Sequence, residues 1–178
     1  METEVSFRVE QVKDYEVVEQ LIEAAFKEEK YSDQNEHILV AKLRRSPSFI
    51  PELSIIAELD GEIVGHILLT KINIKNESAS FASLALAPVS VLPIHQRKGI
   101  GGQLIRKAHE VATQLGYQSV VLLGHAQYYP RFGYQKASQF GIRLPFDVPD
   151  ENCMAIELVK GALNEVSGVV EYDPAFYE

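Results

Sequence analysis

The segment VSVLPIHQRKGIGGQL, residues 89–104, carries the strongest structural signal in the chain. It continues an apolar run that predicts a buried strand over residues 81–92. Apolar residues then recur at helical spacing, which predicts a helix over residues 99–115. The first N–H groups of a helix have no partner inside it, and together with the helix dipole they attract an anion. The sequence therefore predicts a strand, a turn and a helix, with an anion site at the turn.

The turn itself, residues 96–102, forms the anion loop. It combines missing side chains with positive charge, in Gly99, Gly101, Gly102, Arg97 and Lys98. Phosphate oxygens can approach a backbone without side chains, so the loop predicts a phosphate or diphosphate site. A P-loop is excluded because Gln103 stands where that motif needs Lys, and the dinucleotide fingerprint is excluded because Leu104 stands where it needs Gly or Ala.

The flanking patterns predict one mixed α/β domain over residues 1–178, with core motifs in 81–136 and a C-terminal strand and tail in 145–178. Helices are expected over 14–29 (with Asp14 as N-cap), 33–45, 99–115 and, as a short one, 127–132. Strands are expected over 6–9, 53–59, 62–72, 81–92, 119–123, 134–136 and 153–159. The last two strands complete the predicted sheet, and the chain between them is expected to be loop. The unit over residues 84–123 should be a right-handed parallel crossover.

The amino-acid composition argues against several classes of protein. The 178 residues carry a formal net charge of −8, which argues against a nucleic-acid binder that works through bulk positive charge. The single cysteine, Cys153, excludes a disulfide scaffold and a cysteine-based zinc cluster, so no metal is expected. Neither a secretory segment nor a membrane span is visible, which predicts a soluble cytoplasmic protein without membrane or nucleic-acid partners.

Charge is distributed unevenly along the chain. Residues 91–144 hold seven basic side chains and one acidic side chain, whereas residues 145–178 hold eight acidic side chains and one basic side chain. The basic segment suits a small polyanionic ligand, and it equally suits a solvated helix face that docks on the acidic tail.

Three motifs resemble those of the GCN5-related N-acetyltransferase (GNAT) superfamily. QRKGIG, from Gln96 to Gly101, resembles its acetyl-CoA signature Gln/Arg-x-x-Gly-x-Gly/Ala. The Val-x-Val-x-Pro strand ending at Pro93 and YYPRFGY at residues 128–134 are also typical of that family. FDVP at 146–149, with MAIEL at 154–158, is similar to a bacterial subgroup of predicted acetyltransferases.

The resemblance implies an α/β fold of the α+β kind: a mixed, mostly antiparallel sheet with a parallel central strand pair that splays apart, flanked by helices. Acetyl-CoA, the expected co-substrate, would bind where that pair splays. Its pantetheine arm would pair with one strand and its diphosphate would bind the anion loop. The implied cofactor-binding residues are Val89, Ser90, Val91, Gln96, Arg97, Lys98, Gly99, Ile100, Gly101 and Gly102.

The resemblance also implies direct attack of a primary amine on the thioester in a ternary complex. The acceptor would be a small-molecule or peptide amine, and the protein a monomer or a homodimer. Tyr129, four residues before Gly133, stands where the family has its catalytic tyrosine and would protonate the departing thiolate. A packing role for Tyr129 is the alternative.

The general base is left open by the sequence. Ala85 and Ala87 stand where some family members place Glu or His, and neither can take a proton. His66, His125 or a bound water are the candidates. Because positions 85 and 87 lack such a proton acceptor, an alternative function stays open: a non-catalytic regulatory module that binds CoA or acyl-CoA.

Overall fold

The computed structural model describes residues 4–30 and 32–178. Helices within these residues are α1 (Tyr15–Phe26), α2 (Glu36–Leu43) and α3 (Ile100–Gln114). α1 forms because Val18, Leu21 and Ile22 recur on one face, and all three are buried. Among the described residues, no helix is both long enough and apolar enough to cross a bilayer.

Nine strands of the described chain form one mixed sheet. They are β1 (Ser6–Val9), β2 (Ser54–Leu59), β3 (Glu62–Lys75), β4 (Ser80–Val91), β5 (Ser119–Leu123), β6 (Gln135–Lys136), β7 (Ile142–Arg143), β8 (Cys153–Glu157) and β9 (Gly168–Glu171). The main order is β1-β2-β3-β4-β5-β8-β6, and β9 pairs with β3 and β7. The pairs β4–β5 and β7–β9 are parallel and the other pairs are antiparallel. The predicted mostly antiparallel sheet with a parallel central pair is therefore confirmed.

The helices cover opposite faces of this sheet. α3 connects β4 to β5 and packs on one face through Leu104, Ile105 and Ala108. α1 and α2 cover the other face, where they pack against Ile56 and Leu68.

The acidic tail differs from its prediction, because residues 134–136 and 153–159 do not complete the sheet. β9, from the tail, pairs with the end of β3, where Asn73 lies opposite Glu171 and Lys75 lies opposite Val169. β3 extends beyond its predicted end at residue 72, and its last residues pair with both β4 and β9. The chain between 136 and 153 also contains β7 and a 3-10 turn (Ala137–Phe140), although it was expected to be loop.

The ends of the helices differ from their predicted positions by a few residues. α1 and α2 are shorter than predicted, and the short helix expected over 127–132 is a 3-10 turn (Tyr129–Phe132). Asp14 does precede α1, but its side chain does not cap the helix. The carboxylate instead accepts hydrogen bonds from Arg8 (2.8 Å and 3.0 Å) and from the N–H of Gln11 (2.8 Å).

Candidate active site

The anion loop has the backbone shape of an anion-binding concavity. Arg97 and Gly99 both adopt left-handed conformations, with φ of 66° and 82°, and Lys98 lies between them. Turns of this kind bring successive N–H groups together on one side. The first hydrogen bond of α3 runs from the N–H of Gln103 to the carbonyl of Gly99 (3.1 Å), so the N–H groups of residues 100–102 have no partner within the helix.

β4 and β5 diverge immediately before this loop. They pair only at Leu84 with Val120 and at Ala85 with Val121. β4 then continues to Val91, six residues beyond the last pair, while β5 continues to Leu123. The space between these two strand ends, the gap, leads directly to the anion loop. The splayed strand pair that the family resemblance implied is present.

One edge of the gap consists of backbone groups of β4. The N–H of Leu92 donates to the carbonyl of Val64 (2.9 Å), and in an antiparallel ladder such bonded pairs alternate along the strand. The backbone of Ser90 therefore bonds to His66 on β3, while those of Val89 and Val91 face the gap. Of the three residues expected to pair with a pantetheine arm, Ser90 is thus turned away.

Gln96 occupies a supporting position in the anion loop. Its side-chain amide donates to the carbonyl of Val91 (3.0 Å), which ties the loop to the gap edge of β4. Its own N–H donates to the carbonyl of Pro93 (3.3 Å) and is therefore engaged within the turn. The amide of Gln96 is consequently less available to an anion than the sequence suggested.

Two glycines of the loop face aromatic rings. A β-carbon on Gly101 would lie 3.2 Å from the hydroxyl of Tyr128, and one on Gly102 would lie 3.2 Å from the ring of Phe132. Gly99 has open space around it and is required for its positive φ. Sequence reasoning missed that Tyr128 brings a hydroxyl to the first turn of α3, because this contact joins segments that lie far apart in the chain.

Tyr129 belongs to an aromatic cluster (Tyr128, Tyr129, Phe132 and Tyr134) and lies against Gly124, the residue after β5. Its ring makes edge contacts with Tyr128 and Tyr134, with centroids 5.0 Å and 5.8 Å away. Tyr134 is held in turn by His109, whose Nε2 is 2.7 Å from the phenol oxygen. Only 9% of Tyr129 is exposed, and burial raises its pKa well above the usual value, so the phenol keeps its proton.

His66 lies in a buried polar network (Glu10, Arg44, Ser54 and His66). Ser54 donates its hydroxyl proton to Glu10 (2.8 Å), so the serine oxygen accepts from Nε2 of His66 (2.9 Å). Nε2 therefore carries the ring proton. Burial, with Arg44 nearby, lowers the pKa of His66 to about 3, which makes this imidazole a poor proton acceptor.

His125 is placed differently, in the loop that follows β5. Its side chain is exposed, and Nε2 is 3.5 Å from the carboxylate of Glu29. Ala85 and Ala87 supply no proton acceptor on β4. Among the described residues, no three His, Cys, Asp or Glu side chains come together as a possible metal-ligand set.

Known proteins share this fold. A GNAT family acetyltransferase from Brucella melitensis, solved in complex with acetyl-CoA, superimposes with a TM-score of 0.79 and 33% identity over 97% of this chain and 98% of that chain. The GNAT family N-acetyltransferase YhbS from Escherichia coli, solved with CoA, has a TM-score of 0.89 over 100% of this chain and 94% of that chain. Its identity of 24% makes this a likeness of fold.

Comparison of amino-acid sequences also finds acetyltransferases as relatives. The uncharacterized N-acetyltransferase YjhQ from Escherichia coli K12 is 43% identical over 115 residues, which cover 64% of this chain and 64% of that protein. The match thus spans slightly less than two thirds of that relative. The acetyltransferase (GNAT) domain model matches residues 51–136. Because the Brucella relative is matched over nearly its whole length at 33% identity, the chain belongs to the GNAT family of acetyltransferases.

Proposed function

We propose that the chain binds acetyl-CoA and transfers its acetyl group to a primary amine. The observation that carries this proposal is the divergence of β4 from β5, which leads from a free strand edge to the anion loop. A pantetheine arm contains amides that can pair with Val89 and Val91 as an added strand does. The diphosphate fits the N–H groups of residues 99–102, and the exposed side chains of Arg97 and Lys98 add positive charge.

Tyr129 is the proposed general acid, and the position of its ring against Gly124, at the end of β5, supports this role. Acetyl-CoA supplies an acyl carbon activated as a thioester. The amine nitrogen bonds to that carbon, the carbon–sulfur bond breaks, and the sulfur leaves with the electron pair. Tyr129 donates its proton to the sulfur, and the proton lost by the new amide nitrogen restores the phenol.

Release of free thiol tests the proposal. The protein is mixed with acetyl-CoA and a panel of amines: hexylamine, putrescine, a peptide with a free N-terminus and an N-acetylated peptide with one lysine. Tyr129→Phe is expected to lower kcat by about ten-fold or more, while the CoA affinity measured by calorimetry stays nearly unchanged. Tyr177→Phe, at a tyrosine that is 59% exposed, is the control and should leave kcat as it is.

Each negative result of these experiments would contradict a different part of the proposal. If Tyr129→Phe keeps the full kcat, Tyr129 is not the acid. If calorimetry detects no CoA binding, the whole proposal is rejected. The alternative, a regulatory module that binds CoA without turnover, is favoured by Ala85 and Ala87 on β4. CoA binding with no thiol release from any amine of the panel would assign that function instead.

A further inference from the structure

Glu29 and His125 form a charged pair that joins the two sides of the gap. Nε2 of His125 lies 3.5 Å from Oε1 of Glu29. Glu29 follows α1, and α1 packs on β3 and β4. His125 follows β5 with only Gly124 between. The pair therefore links the helix on the β4 side to the loop on the β5 side.

The same loop carries the proposed acid. The N–H groups of Tyr128 and Tyr129 both donate to the carbonyl of His125, over 3.1 Å and 3.4 Å. The ring of Tyr129 also lies against Gly124, the residue just before His125. His125 and Tyr129 are thus fixed to each other by backbone contacts within five residues.

The other histidines are engaged elsewhere. His66 is buried, His109 is half-buried and both are hydrogen-bonded, and removal from solvent lowers their pKa values to about 3 and about 4. His37 faces Glu23 (3.9 Å), between α1 and α2, and His95 lies in the turn before the anion loop. The side chain of His125 is 63% exposed and that of Glu29 is 41% exposed, so an incoming acceptor can reach both.

We propose that His125, oriented by Glu29, is the base that takes the proton from the ammonium group of the acceptor. This inference rests on the acetyl transfer proposed above. A carboxylate beside Nε2 favours the proton on that nitrogen and leaves the lone pair on Nδ1. Nδ1 takes one proton from the ammonium, and the amine nitrogen keeps the electron pair that bonds to the acyl carbon. The imidazolium then returns its proton to water.

Glu29 gives the site its substrate class. Its negative charge lies 3.5 Å from His125 and attracts a cation, so the acceptor is a primary amine that is positively charged in solution. An amine that is already neutral has no proton to lose before attack. Dependence on His125 should therefore follow the charge of the nucleophile, which a merely structural histidine would not produce.

The test compares His125→Gln with the wild type, using the cationic amines of the panel and hydroxylamine, which is neutral at neutral pH. With the cationic amines, kcat should fall by about 100-fold or more, as loss of a general base requires. With hydroxylamine, the loss in kcat should stay below about five-fold, because a neutral nucleophile does not need a general base before it attacks. Glu29→Gln should raise KM for the cationic amines and leave KM for hydroxylamine unchanged.

Two matched variants control the comparison. His37→Gln removes the half-buried contact of His37 with Glu23, and Glu28→Gln neutralises the carboxylate next to Glu29; both should behave as wild type. Nitrogen NMR of the His125 ring adds a measurement that needs no turnover, since a proton on Nε2 is expected in wild type and a tautomer mixture in Glu29→Gln.

The outcomes separate this inference from the proposed function. Equal losses for charged and neutral nucleophiles, or no loss for either, would overturn the role of His125 while acetyl transfer stands. A proton on Nδ1 in the wild type would overturn the orienting role of Glu29. Absence of thiol release from wild type with every amine would reject both proposals together.

Discussion

A β-carbon on Gly124 would lie 2.3 Å from Cε2 of Tyr129, so the tyrosine ring occupies the space that any other residue at position 124 would need. Gly124 is fixed from the opposite side as well. Its N–H donates to the carbonyl of Asn152 (2.9 Å), and its carbonyl accepts from the side chain of Asn152 (3.0 Å). The end of β5 is therefore held in place, and a side chain added there must displace the ring.

Gly124→Ala is accordingly expected to lower kcat by about ten-fold, as Tyr129→Phe does, because the phenol leaves its position. CoA affinity should change little, since the anion loop lies on a different segment. Thiol release and calorimetry measure the two effects. In a Tyr129→Ala background, Gly124→Ala has no ring to displace and should lower kcat no further. A second, equal loss in that background would show that Gly124 acts in another way.

Gly99 and Gly116 offer a matched comparison at the two ends of α3. Both have positive φ, 82° and 92°, and a β-carbon on either would meet nothing within 4 Å. Alanine at either position should therefore cost a similar free energy of unfolding, about 1 kcal/mol. Only Gly99→Ala distorts the anion loop, and it should weaken CoA binding by roughly ten-fold, or about 1.4 kcal/mol.

Calorimetric titration with CoA, together with urea unfolding of each variant, checks this prediction. Equal CoA affinities for Gly99→Ala and Gly116→Ala would mean that the loop backbone does not hold the diphosphate.

The features that were predictable from sequence are those with a local pattern. β5 matches its predicted range of 119–123, and α3 matches within one residue at each end, because a continuous apolar run and a helical repeat depend on near neighbours. The turn before α3 was predictable for the same reason, while its binding of an anion stays a prediction. Its glycines and basic residues are consecutive in the chain.

Contacts between distant segments were not predictable. β9 is four residues long and gains its partner, the end of β3, from almost 100 residues earlier in the chain. The roles of Gly101 and Gly102 depend on rings from Tyr128 and Phe132, which reach α3 only after β5 is in place. The contact between Glu29 and His125 likewise exists only once α1 lies on the sheet. No periodicity in the sequence reports such pairings.

The third prediction concerns the buried ion pair of Glu10 and Arg44. Its atoms are 2.6 Å apart, and the side chains are only 1% and 4% exposed. Arg44→Ala leaves the carboxylate buried without its partner and should reduce the free energy of unfolding by about 3–5 kcal/mol. Lys75→Ala breaks the exposed pair with Glu171 (2.9 Å) and should cost less than about 1 kcal/mol. Similar losses in urea unfolding would contradict the importance of burial.

His66 makes the free energy of unfolding depend on pH, and the lowered pKa of its imidazole sets the direction of that dependence. Burial lowers the pKa from the ordinary 6.5 to about 3, so between these values the unfolded chain binds a proton at His66 that the folded chain does not. Stability therefore rises with pH in this window and is lost as the pH falls from 6.5 towards 3. From pH 7 to pH 5, the wild type should lose about 2 kcal/mol more than His66→Asn does.

Urea unfolding at the two pH values measures this difference directly. Leu68→Ala is the control, since Leu68 is buried two residues further along β3 on the same side and carries no titratable group. That variant should be less stable than wild type at both pH values by the same amount, because a cavity costs free energy without binding protons. If His66→Asn kept the pH dependence of the wild type, the proton would have to be taken up elsewhere, and the neutral, Nε2-protonated state assigned to His66 would be wrong.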